Sequence, residues 1–393
     1  MAGLGLVYPF QVVWFEQSAG VTGQQLGLIL ALRPLMGIIG QPVFGRIADR
    51  TGQRGRVLGL VMVCAAVFYA VLPWMTSVVA IGVAFACAAF FGTSVMSLGT
   101  SVSMAALGAE SSARFGRVRA WGTVGYAILL ITFPRLLERW REANGLQDAP
   151  GEPGLGALFI GMAALCFIAG IVIFGVPLRG GGQARSRGGD LRLLIAHRPY
   201  RRLLILAFLA HALLQGPIQF LPLLVADRGG DLTDVANLWL PMLVVETVLV
   251  YFSSQGAVRF GPKALIVLGI GADGLRWILT LVAPSLAWMW PAQMLHGVVI
   301  AGFLIGGAIY VEQVVPERLR STGQAGLAVV GISFATAVSA VSTGTLMDLG
   351  TVETPFWVGG IGGLGLAFAA IWLLPKPQKM PEPPLGTDIS NRI

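Results

Sequence analysis

Three ionisable side chains lie inside long apolar runs. Glu246 sits in Leu243-Val244-Val245-Glu246-Thr247-Val248-Leu249, Arg276 in Asp273-Gly274-Leu275-Arg276-Trp277, and His296 in Gln293-Met294-Leu295-His296-Gly297. A charge in hydrocarbon is costly, so such residues mark paths for ions, protons or substrate. An acid, a fixed cation and an imidazole are the parts of a proton-coupled switch. A carboxyl in a low dielectric holds its proton more tightly, and a nearby guanidinium loosens it. Moving Arg276 relative to Glu246 therefore binds or releases a proton. On this reading Glu246 carries the proton, Arg276 modulates it, and His296 offers a hydrogen bond to substrate. The competing reading is a static buried ion pair that fixes helix packing, with His296 a structural histidine.

Other polar groups share the apolar runs. Arg33 precedes Pro34. Facing inward, it suits an anionic substrate such as an aromatic carboxylate; alternatively it pairs with Glu16 or a backbone carbonyl. Gln215 and Gln219 flank Gly216-Pro217. Proline bends a helix and frees a carbonyl, so both glutamines are expected to face a substrate path. Asp273 lies one turn before Arg276 and can pair with it on one helix face. His211 reads as structural. The run Gly45-Arg46-Ile47-Ala48-Asp49-Arg50-Thr51-Gly52-Gln53-Arg54 lies between two apolar spans. Its glycines permit a tight turn, and Asp49 can cap a neighbouring helix N-terminus or pair with a basic residue across the bundle interface. Gly45, Asp49, Arg50, Gly52 and Arg54, with Arg119 further on, read as a gating latch.

These residues need elements to position them. The 393-residue chain is 55% hydrophobic and only 12% charged, with a mean hydropathy of +0.76. A soluble protein needs far more polar surface. A membrane-spanning helix takes about 20 apolar residues. Twelve spans are predicted, over 1–17, 24–46, 56–74, 77–107, 117–137, 155–176, 202–226, 235–258, 263–283, 286–312, 321–347 and 354–374. The first is short, because Met1 opens almost directly on apolar sequence and Glu16 ends it; this suggests a start site upstream of Met1. Residues 1–176 are expected to form one six-helix bundle and 201–374 a second. A cytoplasmic linker, 177–200, joins them, and a tail, 375–393, follows.

Arginine and lysine in the loops set the orientation. On one face the loops, linker and tail carry 21 of them, and on the other face only Arg135, Arg139, Arg141 and Arg228. Both termini are therefore expected in the cytoplasm, in a cell (inner) membrane. The net charge of +8 is thus a topology signal, not a nucleic-acid footprint. Cys64, Cys87 and Cys166 all fall in apolar spans and read as buried thiols rather than disulfides or metal ligands. No Gly-x-x-x-x-Gly-Lys-[Ser/Thr] phosphate loop is present, and no nucleophile–base pairing stands out. No cofactor is expected, and the chain does not read as an enzyme. The two halves share features: Phe10, Gly20 and Gly45 fall opposite Phe220, Gly230 and Gly256. Arg119-x-x-Gly122-x-x-Gly125 recurs as Arg320-x-x-Gly323-x-x-Gly326. A parallel 6+6 repeat is the plan of a two-bundle transporter.

The loop at Gly45–Arg54 resembles the signature Gly-x-x-x-Asp-Arg-x-Gly-x-Arg of the major facilitator superfamily. Further likeness lies in Phe115-Gly116-Arg117-Val118-Arg119-Ala120-Trp121-Gly122, in Arg276-Trp277, in Gln293-Met294-Leu295-His296, and in Pro316-Glu317-Arg318-Leu319-Arg320. Across nearly the whole chain the sequence is similar to the lactose-permease-like branch, with its phenylpropionate permease and nucleoside-proton symporter-like members. The resemblance implies an all-α membrane fold of twelve helices in two six-helix bundles. It implies that Glu246, Arg276 and His296 occupy the helices that serve substrate recognition and proton coupling. Those permeases carry a second acid one turn after the histidine, and here that place is Val299, so proton carriage does not transfer unaltered. The expected function is proton-coupled uptake of a small organic solute, such as an aromatic acid, nucleoside or saccharide, by a monomer using alternating access. One rival is proton-driven efflux of drugs or lipids. The Gly-Pro-rich helix 5 motif of such antiporters is missing from Thr123-Val124-Gly125-Tyr126-Ala127-Ile128-Leu129. The other rival is a non-transporting membrane receptor or assembly factor.

Overall fold

A computed structural model describes residues 1–107, 111–147, 149, 151–174, 190–378 and 380. Most of the linker and the tail beyond 380 lie outside the described residues, as do the side chains of Arg114 and Arg117. Among the described residues the chain is helical throughout, and eleven helices are long and apolar enough to cross a membrane. A shorter one at the start makes twelve. It is α1, Leu4–Val13, continued by a π turn, Trp14–Ser18, so it runs past Glu16 rather than ending there.

The order is α2 (Gly23–Thr51), α3 (Arg54–Val71), α4 (Val78–Gly92) with α5 (Ser94–Leu107), α6 (Ser111–Ala143) and α7 (Ala157–Phe174). A short α8 (Asp190–Ala196) leads into α9 (Arg198–Asp227) and α10 (Leu232–Val282). Next come α11 (Met289–Val299), a π segment (Ile300–Ile305) and α12 (Gly306–Val314) as one pass. The following pass is α13 (Arg320–Gly326), a π segment (Leu327–Phe334) and α14 (Ala335–Leu349); α15 (Thr354–Leu373) ends the series. The 51-residue α10 is two passes joined at Gly261, where φ is 75° and the helix breaks. Pro262 then opens the second pass, at a first-turn position where its missing N–H costs nothing.

The apolar faces explain why these helices need a bilayer. Leu60, Val79, Val83, Trp121, Ile128, Ile168, Leu268 and Phe368 are large, hydrophobic and exposed. Such surface is stable against lipid tails, not water. All three cysteines are free; Cys166 is buried, but Cys64 and Cys87 are only half-buried, where buried thiols were expected at all three.

Close packing divides the chain into two units. One comprises Met1–Gln183, Gly216–Leu240 and Ala337–Pro355; the other comprises Ala184–Gln215, Pro241–Thr336 and Phe356–Ile393. The first unit thus takes in the end of α9, the start of α10 and most of α14, beyond the 1–176 boundary expected from sequence. Glycine explains this. A Cβ on Gly23 would stand 2.7 Å from the Gly344 carbonyl oxygen, and one on Gly216 would stand 2.6 Å from the Ser339 carbonyl oxygen. Bare backbones let α2, α9 and α14 touch. Asp348 of α14 then caps α2, accepting from the Gly23 N–H at 2.9 Å and the Gln24 N–H at 2.7 Å. Thr22 and Gln25 complete a capping box at the same end. Gly216→Leu should therefore overpack this seam at a cost of about 1–3 kcal/mol. Its melting temperature in detergent should fall clearly, while Gly365→Leu, at a position with open space around it, should melt like the parent. Equal melting of the two variants would refute the seam.

Candidate functional site

Arg276 stands at the centre of a buried polar cluster in the second unit. It is 1% exposed. A guanidinium has five N–H groups and no acceptor, and here each has a partner. Nε donates to Gln293 Oε1 at 2.9 Å, and Nη2 donates to the same oxygen at 2.7 Å. Nη2 also reaches Met242 Sδ at 3.3 Å. Nη1 approaches Asp273 Oδ1 at 3.4 Å and His296 Nδ1 at 3.1 Å. The Gln293 amide in turn donates to Thr280 Oγ1 at 2.8 Å, and Thr280 donates to the Arg276 carbonyl at 2.8 Å. Spacing explains the assembly. Asp273, Arg276 and Thr280 lie at i, i+3 and i+7 on one face of α10, and Gln293 and His296 at i, i+3 on α11.

The contact with Arg276 sets the histidine tautomer. A guanidinium only donates, so Nδ1 of His296 accepts and the neutral ring carries its proton on Nε2. That nitrogen lies 3.7 Å from Glu246 Oε2. The result is a chain Glu246–His296–Arg276–Asp273. The His296 side chain is 13% exposed and that of Glu246 35%, so the acid end of the chain is open and the arginine end is closed off. Gly297 allows the approach: a Cβ there would press on the Val245 and Glu246 backbone at 2.9 Å.

The three residues singled out first are thus brought together. Gln293, the main partner of Arg276, was read only as part of a motif. Its place one turn before His296 was the signal for it. Asp273 does share a face with Arg276, at a longer distance than the glutamine.

Arg33 belongs to a separate cluster in the first unit. Its Nη2 donates to Tyr69 Oη at 3.4 Å, and its guanidinium carbon lies 5.6 Å from the Tyr8 ring centre and 6.0 Å from that of Phe85. Its Nη1 is buried with no hydrogen-bond partner. The alternative pairing with Glu16 is replaced by this aromatic box. Gln215 and Gln219 are both half-buried on α9. Gln215 lines a small cavity with His211 and Asp273.

The latch residues form a compact corner. The segment read as a loop is mostly the last turns of α2, and the turn itself is Gly52-Gln53. Gly52 ends the helix with φ at 65°, a left-handed cap that glycine favours. Gly45 lies within the helix with open space beside it, so neither turn nor packing requires a glycine there. Asp49 pairs with Arg54 at 2.7 Å, and Arg54 also donates to Ser101 at 3.0 Å. The Asp49 contact is therefore local, to the start of α3, where a cross-interface partner was expected. Arg50 and Arg119 are exposed.

The family model described as MFS_1 like family matches residues 1–358. The chain belongs to this family of major facilitator transporters. Two relatives are similar over most of their length. The uncharacterized transporter YwbF of Bacillus subtilis (strain 168) is 24% identical, with 93% of this chain and 89% of that protein covered. The maltose permease of Geobacillus stearothermophilus is 24% identical over 83% of this chain and 80% of that protein. Among solved structures, the nucleoside transporter NupG superposes with a TM-score of 0.81 at 16% identity, covering 95% of each chain. The fold is the twelve-helix major facilitator fold, and this transporter is a membrane protein.

Proposed function

We propose that this transporter is a proton-coupled symporter that takes up a small organic solute by alternating access. The observation that carries the reading is the chain Glu246–His296–Arg276. It joins a partly exposed carboxyl through an imidazole to a buried fixed cation. Proton movement at Glu246 changes the charge facing His296, and His296 passes that change to Arg276. Arg276 has all its N–H groups engaged, so in this reading it is the fulcrum of the cluster rather than a free hand for substrate. Gln293 and Met242 must let go before it can bind solute.

The solute class follows from Arg33. A cation with one unpartnered Nη nitrogen, boxed by Tyr8, Tyr69 and Phe85, matches a small anion with an apolar or aromatic body. Maltose and nucleosides, named for the relatives, have no charge for Arg33 to meet, which favours an organic acid here.

The test is uptake of a labelled solute panel into proteoliposomes, with and without a pH gradient. Symport predicts that outside-acid conditions drive accumulation of one or more organic acids. Arg33→Gln should lose that uptake, at least tenfold, and tolerate neutral solutes better. If an opposite gradient drives entry, the protein is an antiporter and the reading fails. The latch gives a further expected result. Asp49→Asn frees Arg54 at the turn, far along α2 from Arg33, so turnover should fall several-fold with apparent affinity unchanged. Equal losses in both would assign that corner another role.

A further inference from the structure

The second unit holds a small cavity that the proton path above does not use. It lies among α9, the second pass of α10 and the π segment after α11. The part a water centre can occupy is about 20 Å³, room for a single molecule. Two buried titratable side chains line it, His211 from α9 and Asp273 from α10, with Gln215, Gly269, Val299 and Phe303 around them. His211 is 6% exposed and Asp273 3%. A void this size between apolar walls stays dry, but one lined by a carboxyl, an imidazole and an amide can hold a hydrogen-bonded water.

The histidine is held in one tautomer. Its Nδ1 lies 3.1 Å from the Ala207 carbonyl oxygen. A carbonyl only accepts, so Nδ1 donates and the neutral ring keeps its acceptor lone pair on Nε2. The Phe303 ring, 4.7 Å from the imidazole centre, fixes the orientation. Phe303 sits in the π segment, and the close approach of Gly269 to its backbone, 2.6 Å for a hypothetical Cβ, brings α10 beside it. π turns that interrupt helices are frequent at functional sites.

We propose that His211 and Asp273 form a second proton-binding site, bridged by one water and joined through Arg276 to the Glu246–His296 arm. The groups facing Asp273 are Arg276 on its own helix and His211 on α9; from α11, His296 reaches the same guanidinium, with Glu246 behind it. The bound species is a proton, shared among the Asp273 carboxyl, the water and His211 Nε2. No bond other than O–H or N–H forms or breaks. An alkali cation is the other ligand of such chemistry. It needs several oxygen donors, whereas this cavity offers one carboxyl and one amide among apolar groups and an imidazole. The proposal concerns proton binding by the protein itself and does not depend on the solute or on the direction of transport.

The chain has only three histidines, His197, His211 and His296, which makes the site readable. The full-length protein, labelled with ¹⁵N in its imidazoles and held in lipid nanodiscs, is titrated with acid. His197→Gln and His296→Gln identify the His211 signals. The expected result is a His211 Nε2 transition whose midpoint moves by about one pH unit or more in Asp273→Asn, and which persists in Glu246→Gln. The persistence separates this site from the Glu246 arm. Asparagine keeps a carbonyl acceptor for Arg276. Should that variant not fold, His211→Gln replaces it, read by the infrared carbonyl band of protonated Asp273, which should shift or vanish. Three results overturn the proposal: no His211 transition, a transition indifferent to Asp273→Asn (or an Asp273 band indifferent to His211→Gln), or one that follows added sodium or lithium instead of acid.

Discussion

Arg276→Ala is expected to abolish solute uptake and to destabilise the second unit by about 3–5 kcal/mol, the range for removing one partner of a buried ionic cluster. The side chain is all but inaccessible and satisfies acceptors on three helical segments: Asp273 on its own, Gln293 and His296 on α11, and Met242 on the first pass of α10. Truncation leaves the Gln293 oxygen and the Asp273 carboxyl buried without their cation. Each orphan costs its own desolvation. Arg276→Lys separates the two effects. Lysine keeps the charge but lacks the planar fork, so it cannot hold Gln293 twice and His296 at once. It should recover much of the thermal stability and little of the transport. The measurements are melting of the purified variants in detergent and uptake in proteoliposomes. An Arg276→Ala protein that melts and transports like the parent would show that the cluster is incidental.

Much of this architecture was legible in sequence because hydrocarbon imposes a simple rule. Apolar runs of spanning length between arginine-bearing loops mark the passes. Eleven of them appear as long helices and the first as a short one. The break at Gly261-Pro262 was legible too, because separate spans were expected over 235–258 and 263–283. The buried Glu, Arg and His were legible because a charge in an apolar run has to be compensated somewhere. Which atoms do the compensating was not. Gln293 is neutral and amide-bearing, so composition gives it no special weight; only its helical register with His296 brings it to Arg276.

The glycine seam was opaque for a different reason. Asp348 caps α2 across a separation of more than three hundred residues, and glycines are so abundant that no local pattern distinguishes Gly23 or Gly216 from the rest. The approach of α14 to both α2 and α9 therefore had no signal in the sequence. Arg33 was recognised as a buried cation, but its box is aromatic, from α1, α3 and α4. Apolar rings in an apolar protein carry no signal until the fold places them. The Asp49 corner shows the reverse case. The residue types were right for an ion pair, and the partner proved to be Arg54, five positions on, which the two-residue turn at Gly52 delivers.

Glu246→Gln is expected to abolish accumulation driven by a pH gradient while leaving exchange between equal solute pools intact. Of the four charged or titratable groups in the cluster, Glu246 has the most exposed side chain, about a third open, and Asp273 and Arg276 are closed off. Glu246 is therefore the open end of the cluster, and the proposed coupling takes its proton there. His296 stands between it and the cation, presenting Nε2–H to the carboxylate and Nδ1 to the guanidinium. When Glu246 is ionised, that geometry draws the imidazole toward the acid; when it is protonated, the pull is lost and the ring is held by Arg276 alone. Glutamine imitates the protonated acid in shape and neutrality but cannot release a proton. A carrier locked in that form still shuttles solute in both directions, because exchange requires no net proton movement. It cannot couple the gradient to net uptake. His296→Gln should weaken coupling without removing the carrier, so its accumulation ratio should fall between the parent and Glu246→Gln. The deciding measurement is the steady-state ratio of internal to external solute in liposomes acidified outside. If Glu246→Gln protein still concentrates solute, proton carriage passes to His296 or to Asp273, and the second site beside His211 becomes the place to look for it.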